Sequence, residues 1–458
     1  MTLLAEHTGL QWSKTSSRTY ERSLDDMERF FGLAGEGGVG ATDGQHWHIA
    51  VMAKIKTTGL DLRKDVPAAW KALRRVNPCL SAVVRGDRLV YTAADEQEIG
   101  SWLKETLHFH DTPSTTREIF PIKNFTGRAA LHVLLQTQEL YLLAPHTHLD
   151  AIGAYTAMNN LIQALADAPS VTGVPQLGGD EAENLIPPLN FLADIPIATD
   201  ANKGVFQSIL GKWMAGFAGV TLPHSKDTTQ PCGDPKVIYA PFGISETKRI
   251  VAKCKELGFT VTAAVQAAVS IALRKQVKST ATFQSAVTIH DVRKWVDKIK
   301  YPATGLVGPL AVPVPAVFTL TDDFVETARL AKQKYREPEQ TDLLRTLPRF
   351  WGNEMVAIMT SPPAGMQAPI SLGLSSFGIM DAYVKPSYEG ATGSNVEVED
   401  VWLGITLYSA DVLFHLWTLQ GSMRLQCVYN EAYHGREEVA ALLEATRDEL
   451  LQGLDLVE

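Results

Sequence analysis

The run His146-Thr147-His148-Leu149-Asp150 holds the residues of this chain best suited to chemistry. It follows an apolar run ending at Pro145 and precedes a stretch with helical spacing. A strand end that turns into a helix presents its polar residues at the mouth of a cleft. An imidazole there, with an unperturbed pKa of about 6.5, can accept a proton near neutral pH. Asp150 then either touches the ring or locks the turn. Two other readings compete: ordinary hydrogen-bonded loop histidines, or two ligands of a metal. Alternate residues of an extended segment face the same way, and His46/His48 and His108/His110 repeat the spacing. A zinc site needs a third ligand, and no His-Glu-x-x-His or carboxylate-flanked set accompanies these pairs, so no metal is expected.

The elements that must position this segment are of mixed type. Residues 48–56 alternate, with Ile49, Val51, Ala53 and Ile55 on one face, which predicts a half-buried strand. Residues 129–136 and 139–145 are apolar runs separated by Thr137-Gln138, a hairpin whose second arm leads into His146. Beyond the motif, Tyr155, Met158, Leu161, Ile162 and Leu165 recur at helical spacing. The second half repeats the mixture. Strands are predicted at 237–240 and 286–291, a buried Ala/Val-rich helix over 260–275, and a hairpin of 412–419 with 423–429 around Gln420-Gly421-Ser422. A terminal helix carries Val439, Leu442, Leu443, Thr446 and Leu450 on one stripe and stops at Gly453.

Between the halves, Gly, Pro, Asp and Thr collect from about 168 to 235, interrupted by an apolar helix candidate at 205–222. The reading is an α/β chain with an N-terminal lobe at 1–190, a crossing segment at 191–235 and a C-terminal lobe at 236–458. The 458 residues carry 51 acidic and 42 basic side chains, a net charge of −9. Such a balance, without dense Lys/Arg blocks, argues against nucleic acid as a partner. No apolar run reaches the roughly 18–20 residues of a membrane span. The start, Met1 to His7, has Glu6 where a signal peptide would be apolar, so the cytoplasm is expected. Cys79, Cys232, Cys254 and Cys427 lie far apart and read as free thiols. The glycine-rich run at 35–40 lacks the following Lys and preceding strand of a phosphate cradle and reads as a loop, and no Gly-x-Ser-x-Gly elbow is present.

In these residues the chain resembles the chloramphenicol-acetyltransferase-like superfamily of CoA-dependent acyltransferases and nonribosomal-peptide condensation domains, above all fungal trichothecene 15-O-acetyltransferase-like proteins. Strand–His146-x-x-x-Asp150–helix is similar to its active-site motif. The 258–268 segment resembles its second-lobe helix, and 286–293 the strand that brings an arginine to the motif's aspartate. The 398–404 segment is similar to the Asp-Phe-Gly-Trp-Gly stretch of the plant branch. Leu374-Ser375-Ser376-Phe377-Gly378 and the 427–433 run resemble the fungal acetyltransferases. Three positions depart: Pro145 precedes the motif where condensation domains have a second histidine, Ala151 stands for the usual glycine, and Trp402-Leu403 stands for Gly-Trp.

The resemblance implies two α/β lobes, each a mixed sheet with helices, and an active-site tunnel at their interface. His146 would be the general base, with Asp150 turned from the ring to pair with Arg293. His148, Ser375, Ser376, Trp402 and Tyr429 are candidate substrate contacts, the two serines near the thioester carbonyl. The implied activity is transfer of a short acyl group from a CoA thioester to a hydroxyl of a small fungal natural product. No bound cofactor is expected; acyl-CoA is the expected co-substrate, with Lys253, Lys255 and Lys275 as candidate phosphate partners. Alternatives stay open: a condensation-like enzyme fed by a carrier protein, a cyclase or pericyclase of a polyketide-type substrate, and a non-catalytic binding module. A monomer that binds an acceptor and an acyl donor is expected.

Overall fold

The computed structural model describes residues 9–36, 46–123, 126–170, 177–223, 231–361 and 372–457. The N-terminal run read for a signal lies outside them, as do 37–40 of the glycine-rich run and 171–176 and 224–230 of the crossing segment.

The motif grows from a six-stranded sheet in the order Ser387–Glu389, Asn395–Ile405, His48–Thr58, Glu139–Pro145, Ala130–Leu134, Leu107–His110. The predicted hairpin is present, with Ala130 opposite Leu143 and Leu134 opposite Glu139. His48–Thr58 is not half-buried as its alternation predicts. Ala50 and Met52 are as buried as Val51 and Ala53, because the strand is central and the surrounding core takes in residues of the second sheet, Trp417, Leu419 and Val428. Helix Ala151–Asp167 packs on this strand and on helix Leu62–Val76.

A four-stranded sheet follows the order Leu372–Ile379, Val412–Leu419, Ser422–Asn430, Pro235–Pro241, and a separate ribbon pairs Phe283–Asp291 with Ala311–Thr319. Helix Val261–Gln276 is buried all round from Ala263 to Leu273, with Gln266 and Ser270 hydrogen-bonded to each other inside; it packs against helices Arg436–Gly453 and Phe324–Gln340. The predicted stripe from Val439 to Leu450 is buried on Arg436–Gly453. The helix expected at 205–222 instead runs from Asp200 to Ala215, capped by Thr199, whose hydroxyl accepts from Asn202 N. It stops at Gly216, where a Cβ would overlap the Ser285 side chain.

Asn395–Ile405 belongs by sequence to the second half but lies in the first half's sheet, next to His48–Thr58. The sheets therefore do not divide where the chain order does. This crossing strand carries Leu403 and Ile405 to the surface between the two sheets, where the cavity described below opens. Among the described residues, no single helix is long and apolar enough to cross a membrane.

Candidate active site

Pro145 is paired with His48 at the end of its strand, so His146 begins the turn with a fixed backbone on one side. Its ring is clamped by an aromatic wall. Phe31, on helix Asp26–Glu36, stacks face to face with it at 3.9 Å between centroids and 8° between planes, and Trp47 leans over at 6.4 Å. Burial is the main influence on the ring and lowers its pKa below the usual 6.5. The backbone at His146, the charge of Asp150 and the backbone at Leu149 push the other way. His146 is therefore a neutral imidazole at neutral pH, the form that accepts a proton.

Asp150 does the opposite job on the far side of the turn. Its carboxylate caps helix Ala151–Asp167 by accepting from Gly153 N at 2.7 Å. It also receives Arg293 in a bidentate pair, Nη1 to Oδ2 at 3.0 Å and Nη2 to Oδ1 at 2.8 Å. Arg293 lies in a short 3-10 turn just past the Phe283–Asp291 strand. Its other donors go to Leu306 O at 3.2 Å, Gly308 O at 2.9 Å and Asp291 Oδ1 at 2.7 Å. A guanidinium has five N–H groups, and all five are used. Desolvation, the largest single influence, lowers the Arg293 pKa, but Asp150 and Asp291 together outweigh it and the net shift is upward. The turn is also tight at Gly153, where a Cβ would stand 3.1 Å from Gly308 O and 3.2 Å from Arg293 Nη2. Ala151 meets no such crowding requirement; it is half-buried and lines the cavity. The need for glycine falls two residues later than the family pattern places it.

The ring of His146 opens into a cavity of about 370 Å³ between the sheets. Phe30, Phe31, Trp47, Trp213 and Trp351 give it aromatic walls, while Ser375, Ser376, His415, Asp291 and Asp411 supply polar groups. Among the described lining residues there is no Lys or Arg. Ser376 shares its hydroxyl with Thr262 at 2.9 Å.

The structure thus brings together His146, Asp150, Ser375 and Ser376 at the cavity, with Arg293 beneath. Three expected substrate contacts lie elsewhere. His148 is buried on the other side of the turn, Nε2 against Ala82 O at 2.8 Å and Nδ1 against Thr147 Oγ1 at 3.0 Å, and burial drops its pKa to about 4. Trp402 faces away from the cavity: its indole donates to Thr116 Oγ1 at 3.1 Å and meets Phe120 edge-on, with Arg117 over its ring. Tyr429 is packed in the core of the second sheet. The three candidate lysines do not line the cavity, and Lys253 and Lys275 are paired with Glu256 and Glu449. The His-x-His pairs do not converge on a metal: His110 meets His132 at 3.0 Å, and among the described residues no group of three His, Cys, Asp or Glu could hold an ion.

Sequence reasoning missed the aromatic walls and His415. Phe30-Phe31 is a visible pair, but nothing local says which core it serves. The signal for His415 was a lone histidine inside the apolar strand Val412–Leu419, a residue that must be either paired or functional.

No protein-family model matches the chain. It is 24% identical over 460 residues to acetyltransferase pigO of Monascus ruber, covering 98% of this chain and 99% of that one. Its structure superposes on trichothecene 15-O-acetyltransferase TRI3 of Fusarium sporotrichioides with a TM-score of 0.81, at 16% identity, over 97% and 98% of the two chains. The first condensation domain of the calcium-dependent antibiotic synthetase matches with a TM-score of 0.61, at 14% identity, over 96% and 97%. The chain therefore has the chloramphenicol-acetyltransferase-like fold that its sequence resembles, shared with the trichothecene acetyltransferase and the condensation domain.

Proposed function

We propose that the protein is an acyltransferase of fungal secondary metabolism that moves a short acyl group from a thioester to a hydroxyl of a small apolar molecule. The observation that carries this reading is His146: a neutral ring, stacked in place, opening into an apolar cavity, with its motif aspartate committed to an arginine. In the reaction, the acceptor oxygen attacks the thioester carbon while its proton passes to His146. The oxyanion accepts a hydrogen bond from Ser375, which lines the cavity beside His415. The C–S bond then breaks, and the proton on His146 goes to the departing sulfur, leaving a free thiol and an ester. Each atom and charge is accounted for, and the base ends neutral.

The thioester donor is acyl-CoA in this reading, by analogy with the acetyltransferase relatives. In this reading the cavity takes the acyl end and the acceptor. Its described lining residues include no Lys or Arg for CoA phosphates, which keeps a second reading open: an acyl chain delivered on the arm of a carrier protein. Incubating the protein and acetyl-CoA with a fungal metabolite extract, followed by mass spectrometry, separates these. The expected result is one metabolite gaining an acetyl group with release of free CoA thiol. A product of unchanged mass would overturn acyl transfer in favour of cyclisation. Activity only with a carrier-bound thioester would replace the donor.

A further inference from the structure

Ser375, His415 and Gln426 form one row across three adjacent strands, Ser375 beside His415 in the parallel ladder and His415 beside Gln426 in the antiparallel one. Residues opposite one another in a ladder share a face. His415 is only 4% exposed and lines the cavity; Gln426 behind it is fully buried. Gln426 Nε2 donates to the carbonyl of Leu403, on the strand that crosses from the other sheet, and lies 2.8 Å from His415 Nδ1. A carbonyl only accepts, so this end of the amide is its NH2 group. An NH2 group facing Nδ1 requires that nitrogen to be bare. A neutral imidazole must then carry its proton on Nε2, and no described protein group bonds Nε2. Burial keeps the ring neutral, with its pKa lowered to about 3.

We infer that His415 Nε2–H is a fixed, neutral hydrogen-bond donor that selects an acceptor substrate bearing a carbonyl oxygen on a flat, uncharged, unsaturated skeleton. Two histidines then face one cavity with opposite roles: His146 accepts a proton, and His415 gives only a hydrogen bond. The skeleton follows from the walls, since Phe30, Trp47, Trp213 and Trp351 reward π-faces and the described lining residues include no Lys or Arg to hold an anion. A ligand without an acceptor oxygen would leave the N–H without a partner and forgo that hydrogen bond, so it binds less well. The inference deepens the acyltransferase reading by naming the class of acceptor, and its test needs no turnover.

The test has two arms. In the first, 15N-histidine NMR of the whole protein, with His415→Gln used for assignment, reads the tautomer: a bare Nδ1 and a protonated Nε2 are expected. In the second, tryptophan fluorescence compares 2-acetylnaphthalene with 2-isopropylnaphthalene, the same shape without the oxygen. The wild type should prefer the ketone by about fivefold, the worth of one neutral hydrogen bond. The preference should vanish in His415→Leu and survive in His415→Gln, whose amide keeps a donor near Nε2. A proton on Nδ1, an unchanged preference in His415→Leu, or failure of the wild type to bind either probe would overturn the inference. The expected tautomer and preference without any acyl transfer would uphold the donor and count against the reaction instead.

Discussion

His146 and Asp150 stand four residues apart in one turn, yet their surroundings are opposite. Around Asp150 every charge is answered: the carboxylate caps a helix and meets a guanidinium whose five donors are all occupied. Around His146 there is an aromatic stack and an open cavity, and burial favours the uncharged ring. The lesson is a division of labour. The latch spends its hydrogen bonds on holding the turn, and the upward pull of its carboxylate charge on the His146 ring is outweighed by burial. A motif carboxylate aimed at the imidazole would instead have raised its pKa, so that more of the ring would rest protonated at neutral pH.

The sharpest way to separate the two regions is His146→Ala. Turnover should fall by about 10²–10⁴-fold, the usual worth of a general base, while the circular-dichroism melting curve moves little. Wild-type rates would remove His146 from the reaction. The latch should answer in the other currency. Arg293→Ala strands a buried carboxylate and should cost about 3–5 kcal/mol in urea unfolding. Asp150→Ala should also destabilise, and the double variant should lose less than the sum of the two. Strict additivity would mean the pair does not act as one. Gly153→Ala presses a methyl against Gly308 O and Arg293, so it should cost about 1–3 kcal/mol and weaken the same latch. The smallest effect belongs to the stack. Phe31→Leu should lower turnover by less than about tenfold, since an aromatic pair is worth roughly 0.5–1.5 kcal/mol.

The pH dependence carries a sign that follows from burial. The active ring is neutral and its pKa lies below 6.5, so activity should persist under pH 6.5 and fall only as pH drops through the lowered value. Wetting the ring with Phe31→Leu should move that acid limb upward. A limb at or above 6.5 in the wild type would mean the ring is not desolvated.

The parts of this arrangement legible in the sequence are those encoded locally. The hairpin into His146, the helix after Asp150 and the buried 260–275 helix each announce themselves by periodicity and turn residues. Arg293 came only through the resemblance, because its partner lies 143 positions away. His148 and Trp402 misled for a shared reason: a turn or strand places neighbouring side chains on opposite sides, and spacing alone does not say which side faces the cleft. By sequence the 395–405 strand belongs to its own half, and only the sheet shows that it crosses to the other. Phe31 carries no local sign of its role, since packing against a distant ring leaves no mark in the sequence, whereas His415 shows as a lone histidine in an apolar strand without showing which cavity it faces.

The central claim is that the turn holds His146 neutral and ready beside a latch that takes up all the charge. Its most direct measurement is an NMR titration of the His146 ring in the folded wild-type protein, assigned by its loss in His146→Ala. The expected midpoint lies below 6.5 and rises in Phe31→Leu. A midpoint at or above 6.5, unmoved by that substitution, would contradict it.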